Sequence, residues 1–315
     1  LILLVELEIW PNFLISAYKK NIPVIIVNGR ISNRSLMAYR AISHISKDFR
    51  NSLTNEMNTY CARTEIDAQR FRDLGIPGKQ VFVTGTMKYD NIPTHIDENI
   101  SRGLAKLFYI NDDDLVLIGG STHAGEEEIL IRVFERLSET FPNLRLIIAP
   151  RHIERTGDVS RLIEKMGFIP VLKTQLEGSN YNWQNTKNEI ILIDTVGDLG
   201  KIYSLANYVF VGKSLVPSGG QNMMESAGLG KAVIFGPHTF NFKEEAGLLL
   251  KNSAAKMVGT EDELLEAIEF FIKNPDAAKE MGLKAQKVVN EKRGATGKNI
   301  EIIGKILAKK SSGRF

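Results

Sequence analysis

The sequence predicts an α/β protein of parallel sheets covered by helices on both faces, divided into two domains. Three observations predict it. Short apolar runs alternate with amphipathic segments along nearly the whole chain. Many of the runs are continuous rather than alternating, as strands buried on both faces require. A length of 315 residues allows two domains of ordinary size.

In chain order, strands are expected over residues 1–5, 24–27, 59–62, 81–84, 115–118, 144–149, 190–193, 208–211 and 232–235. Helical patterns fall between them, over 67–74, 126–141, 159–166, 199–205, 222–229 and 261–273. Residues 91–101, NIPTHIDENIS, lack an apolar period and carry Pro93. They place a linker at 93–102, between a first domain over 1–92 and a second over 103–292. Residues 293–315 contain an amphipathic helix with a basic finish, which could return to the first domain. The chain opens directly on a buried-type strand without a Met, so the first domain is expected to be incomplete here.

Composition excludes several classes. An apolar fraction of 43% and a charged fraction of 24% are those of a soluble globular protein. The net charge of +3, from 40 basic and 37 acidic residues, does not indicate a nucleic-acid partner. Cys61 is the single cysteine, which rules out an internal disulfide framework and suits a small core position. No stretch has the length of a transmembrane helix, and no signal peptide is present. The five histidines lack metal-ligand spacing, so no metal is expected. G-x-S-x-G, P-loop and G-x-G-x-x-G patterns are absent, which weakens hydrolase, ATPase and dehydrogenase readings.

The most informative stretch is 211–242, VGKSLVPSGGQNMMESAGLGKAVIFGPHTFNF. It reads as strand, glycine-rich loop with Ser214, Gly219 and Gly220, helix, strand. Free N–H groups at such a helix start can hold a phosphate, and Glu225, one turn in, can reach a sugar hydroxyl. Gly119–Gly120–Ser121–Thr122–His123 follows another strand and could approach a ligand or simply cap a helix. Pro150–Arg151–His152 puts an arginine at a strand end, for a phosphate or a base, or merely at the surface. Val196–Gly197–Asp198 follows a third strand, with backbone groups for a base or a plain helix cap at Asp198. In the first domain, Glu6 and Glu8 follow the opening strand and Lys88 follows the last one. An acid or a point charge at a strand end can support a reaction, or be solvated. Trp10 reads as a packing residue. These groups fall at the carboxyl ends of strands, where α/β sheets hold ligands, and two such domains would face a cleft.

In this order, VELEIWPN, NGRIS, VTGTMKYDN, GGSTHAGEEE, IIAPRHIERT and the long run from DTVGDLGK to GPHTFNF resemble the 3-deoxy-D-manno-octulosonic acid (Kdo) transferases of lipopolysaccharide synthesis. The resemblance implies a metal-independent, inverting glycosyltransferase of the GT-B class, with two Rossmann-like domains. It implies CMP-Kdo as donor and a lipid A precursor, lipid IVA, as acceptor, with no further cofactor. It implies work at a membrane surface, the cytoplasmic face of the bacterial inner membrane. By the same resemblance, donor contacts fall on Pro150, Arg151, Val196, Gly197, Asp198 and the run Asn222, Met223, Met224, Glu225. Transition-state support falls on Lys88 and on Glu6 or Glu8, with Glu6 favoured. The family's membrane anchor and catalytic glutamate lie on a segment that would precede Leu1, so this chain is expected to bind donor better than it turns it over. Gln221 and Thr86 stand where many members have histidine and asparagine. Two alternatives remain: a GT-B transferase or epimerase using another nucleotide sugar, and an inactive nucleotide-binding fragment.

Overall fold

The computed structural model of the chain describes residues 1–6, 9–178 and 188–311. It forms two compact units, residues 1–91 with 292–315, and residues 92–291. The stretch read as a linker groups with the second unit, and the helix Glu98–Leu107 starts inside it.

The first unit holds a four-stranded sheet in the order β1-β2-β3-β4, with β1 Ile2–Val5, β2 Val24–Gly29, β3 Thr59–Ala62 and β4 Val81–Val83, all parallel. β2 and β3 are buried at every position, which suits their mostly apolar sequence. One face carries Ile26, Tyr60 and Phe71 in the main core. The other buries Ile25, Val27 and Cys61 under Ile302, Ile303 and Ile306 of the helix Ala295–Ser311. Asp90 holds the start of that helix by accepting the Gly294 and Thr296 N–H groups, each at 2.6 Å. Cys61 is fully buried, and burial pushes its thiol up to about 12, so it stays protonated and inert. Trp10 is not packed away as its sequence suggests. It is 63% exposed at the N-cap of the helix Pro11–Lys19, while its neighbour Ile9 takes the core position.

The second unit holds a seven-stranded parallel sheet in the order β11-β10-β9-β5-β6-β8-β7. Its strands are β5 Leu115–Thr122, β6 Leu144–Pro150, β7 Ile169–Leu172, β8 Glu189–Leu192, β9 Tyr208–Val211, β10 Ala232–Phe235 and β11 Lys256–Met257. The helix Glu126–Ser138 shows why these segments fold as they do. Three glutamates occupy its first turn, where the helix dipole favours them. Leu130, Ile131, Val133, Phe134 and Leu137 make one buried stripe against the sheet. Each such side chain contributes roughly 1.5–3 kcal/mol of transfer free energy. The chain moves from β5 outward through β6 to the β7 edge, then returns to β9 on the opposite side of β5. The strand order therefore reverses between β5 and β9. In open parallel sheets, the crevice outside the carboxyl ends at such a reversal is where ligands bind. Among the described residues no helix is long and apolar enough to cross a membrane.

Candidate functional site

β5 and β9 pair directly, with Gly120 opposite Val211, and the Gly212 N–H continues the ladder to the Gly120 carbonyl at 2.8 Å. Past this point the two loops must part, and two glycines let them do so at close quarters. A Cβ on Gly212 would stand 2.5 Å from the Thr122 Cα, and one on Gly120 would stand 2.0 Å from the Tyr203 hydroxyl. The glycine-rich character seen in the sequence thus serves the approach of the chain to itself. Ser121, past the last β5/β9 pair but still within β5, and Lys213, two residues past β9, both take left-handed backbone, with φ 53° and 60°. For residues with a Cβ this is a strained choice, sustained only where neighbours over-determine it.

What over-determines it is Glu126. Its fully buried carboxylate accepts four backbone N–H groups: His123 at 2.9 Å, Lys213 at 2.6 Å, Ser214 at 2.8 Å and Leu215 at 2.9 Å. One side chain at the start of the helix after β5 therefore stitches the loop after β9 to it, across the reversal. Beside it the buried Glu127 receives a two-pronged contact from Arg155, at 2.6 and 3.2 Å. The Arg155 guanidinium is held above its usual range by that hydrogen bond, despite partial burial.

The loop itself differs from its sequence reading. The N–H groups of Lys213, Ser214 and Leu215 are not open to a phosphate, because Glu126 holds them. The Ser214 hydroxyl is also spent internally, donating to the Val211 carbonyl and accepting from the Gly236 N–H. Gly219 packs on Phe240 and Asn241, and Gly220 donates its N–H to the Lys213 carbonyl. The following helix is only Met224–Gly228, and the Asn222 side chain accepts its first N–H, that of Met224, at 3.1 Å. Met223 and Met224 point into the core, at 0% and 1% exposure, so they can offer a ligand backbone at most.

Other expected residues do gather at this edge. Pro150 pairs with Thr122 across β5 and β6, and the Arg151 N–H reaches the Thr122 carbonyl at 3.0 Å. The Arg151 side chain is exposed. The His123 ring is partly buried, and its Nδ1 finds no hydrogen-bond partner among the described residues. Glu225, partly buried, accepts from the Asn222 amide at 3.0 Å and lies 3.8 Å from the position of a Cβ on Gly200, two residues past Asp198. It also lies close enough to Tyr203 to help burial drive that phenol far above its ordinary value. Asp198 does not cap the helix Leu199–Ile202 with its side chain. It accepts instead from the Thr195 hydroxyl at 2.7 Å and pairs with Lys173 at 3.2 Å, and the Thr195 bond leads in holding it below the usual carboxylate range. Val196 and Gly197 between them are exposed.

In the first unit, Glu6 directly follows β1 in left-handed backbone, φ 66°, with its N–H on the Val27 carbonyl and its side chain exposed. Glu8 lies outside the described residues. Lys88 lies in the turn Met87–Tyr89 after β4, exposed, with its Nζ 4.8 Å from the centre of the Tyr89 ring. The Asn28 side chain at the end of β2 accepts the Met87 N–H at 3.2 Å and so fixes that turn. Glu126, Glu127, Arg155 and Lys173, whose buried contacts support this edge, were not legible in the sequence. The one available signal was a glutamate three residues after His123, the spacing at which a side chain reaches back to a helix-start N–H.

Comparison with known proteins adds three findings. A family profile described as 3-deoxy-D-manno-octulosonic-acid transferase (kdotransferase) matches residues 1–91. The 3-deoxy-D-manno-octulosonic acid transferase of Haemophilus influenzae is 31% identical over 305 residues, 96% of this chain and 69% of that protein. Of other curated relatives it matches, the chain spans smaller shares, 40% of one from Fusobacterium nucleatum and 63% of one from Aquifex aeolicus. Among solved structures, the C-terminal CMP-Kdo binding domain of WaaA from Acinetobacter baumannii aligns with TM-score 0.55 at 23% identity, over 61% of this chain and 96% of that one. UDP-GlcNAc 2-epimerase from Neisseria meningitidis, bound to UDP-GlcNAc, aligns with TM-score 0.57 at 16% identity, over 98% of this chain and 75% of that one. At these identities the two structures bear on the fold, which is of the GT-B type.

Proposed function

The chain belongs to the 3-deoxy-D-manno-octulosonic acid transferase family, and from that premise we propose that its second unit holds the CMP part of CMP-Kdo at the β5/β9 reversal. The reaction served is transfer of Kdo to a lipid A precursor such as lipid IVA, with inversion and without a metal, at the cytoplasmic face of the inner membrane. The observation that carries the reading is the placement of Arg151, Gly197 and Glu225 in segments that follow the carboxyl ends of β6, β8 and β9, in a sheet whose order reverses between β5 and β9.

Each group has a role that its chemistry suits. Glu225 accepts hydrogen bonds and, oriented by Asn222, would take the ribose hydroxyls. Arg151 is a planar cation fitted to the phosphate. The exposed Val196–Gly197 backbone offers an edge to the base. A hydroxyl of the lipid acceptor attacks the anomeric carbon of Kdo. Its proton passes to a general base, and the bond to the phosphate breaks with its electrons leaving on CMP. Charge then grows on the departing phosphate. Lys88, with Glu6 or Glu8, is assigned by family likeness to electrostatic support of that step.

Calorimetry on this chain tests the donor site. CMP should bind more tightly than UDP, and Glu225→Ala should weaken CMP about tenfold, the loss expected of a charged hydrogen-bond acceptor. Unchanged affinity would leave Glu225 as a helix residue and no more. For Lys88, transfer assays on the enzyme from its complete gene should show Lys88→Ala cutting turnover by about 100-fold with CMP affinity little changed. A near-normal rate would remove Lys88 from the mechanism.

A further inference from the structure

We infer that Lys173 is a positioning residue that fixes the Val196–Gly197 backbone and thereby sets how well the protein tells cytosine from uracil. The inference rests on the CMP reading above and assigns a device behind the site rather than a group within it.

Lys173 begins the short helix Lys173–Glu177, directly after the edge strand β7. Its side chain is only 6% exposed, and its Nζ lies 2.6 Å from Glu177 and 3.2 Å from Asp198. Burial alone would pull this ammonium down. The hydrogen bonds to Glu177 and Asp198 outweigh burial and hold it above its usual value, so it is a cation throughout the working range. The next residue, Thr174, grips the other end of the same loop: its N–H donates to Asp194 at 3.0 Å, and its hydroxyl donates to the same carboxylate. One helix thus clamps both ends of residues 194–198, through two carboxylates of the loop. The Thr195 hydroxyl adds a third tie, to Asp198.

The middle of the loop is left bare. Val196 is 83% exposed, and Gly197 takes a φ of +90° that a side chain would resist. An apolar residue so exposed, between ends so firmly held, is presented rather than packed. Cytosine and uracil differ by an exocyclic donor against an acceptor, and a backbone edge held in a fixed position can discriminate between them. A buried, charged lysine is a costly way to brace a surface loop unless the position of that loop matters.

The test is calorimetric binding of CMP and UMP to the 315-residue chain, its Lys173→Met and Lys173→Arg variants, and Glu225→Ala. Lys173→Met should lower CMP affinity about tenfold and UMP affinity less, so that the CMP-to-UMP ratio falls. Lys173→Arg should restore most of that ratio, because the charge returns. Glu225→Ala should weaken both nucleotides alike, since both carry the same ribose. A Lys173→Met protein with a lower melting temperature but an unchanged ratio would overturn the inference and leave the CMP reading standing. A wild type that binds neither nucleotide would overturn both. Should Lys173→Met fail to fold, Thr174→Val loosens the other end of the loop by removing the hydroxyl bond to Asp194, and the same fall or constancy of the ratio decides.

Discussion

The loops after β9 and after β8 lie along the same edge of the second sheet, yet they are held in different ways. Residues 213–215 are held by their own backbone: three N–H groups converge on Glu126, which no water reaches. Residues 194–198 are held by side chains, through Asp194 to Thr174 and through Asp198 to Lys173 and Thr195. The Asp198 side chain keeps 28% of its exposure, so water screens it in part. A backbone anchor to a buried charge cannot be weakened without leaving unsatisfied groups in the interior. A side-chain anchor whose carboxylates keep part of their contact with water can be changed, or lost, with the fold intact. The first loop is accordingly a fixed wall of the crevice. The second is the part that can vary with the fold intact, and it is the loop to which the proposed base selection is assigned.

The largest expected effect tests the wall. Glu126→Gln keeps the shape but offers one oxygen to donors that now meet two, and turns an NH2 group toward N–H groups. Breaking a buried charged network from one side costs about 3–5 kcal/mol. Urea unfolding followed in the second unit should show a loss of that order, and a larger one than for Lys173→Met. A smaller loss would reverse the ranking of the two anchors.

The same contrast explains what the sequence made legible. The strand Tyr208–Val211 and the strand Ala232–Phe235 fall at the expected residues, because four consecutive buried apolar side chains leave little choice. β7 has an exposed first residue and Pro170 at its second, which suits only an edge and carries almost no pattern. β11 is two exposed residues. Arg151 and the Gly197 loop could be placed at the carboxyl edge because they directly follow apolar strands, and Glu225 because its helix leads from the loop after β9. Glu126 was not legible, since its loop partners lie 87 to 89 residues further along the chain. The glycines of the loops pointed to close approach, but local pattern could not tell approach to a ligand from approach of Gly212 to Thr122. Long-range pairing is where local reading stops, and both of the second unit's anchors depend on it.

The smallest expected effect sharpens the account of why Lys173 can be buried at all. The second unit contains another partly buried lysine, Lys231, whose Nζ donates to the Ser204 carbonyl at 2.7 Å with no carboxylate within ion-pair distance among the described residues. Burial pushes it down to about 8, whereas Lys173, between two carboxylates, is raised. The consequences for stability have opposite signs. Between about pH 8 and the ordinary lysine value of 10.5, the unfolded chain holds a proton at position 231 that the folded chain has released, so stability rises with pH across that window. The Lys173 contribution is fully present below 10.5 and is lost only as pH climbs through its raised folded value. Denaturant unfolding at about pH 7 and about pH 9.5 should therefore show wild type gaining on Lys231→Met by about 1–2 kcal/mol. Lys173→Arg should keep that gain. If wild type and Lys231→Met respond to pH alike, a carbonyl offsets the burial of an ammonium as well as two carboxylates do, and the ion pairs behind the Gly197 loop lose their special standing.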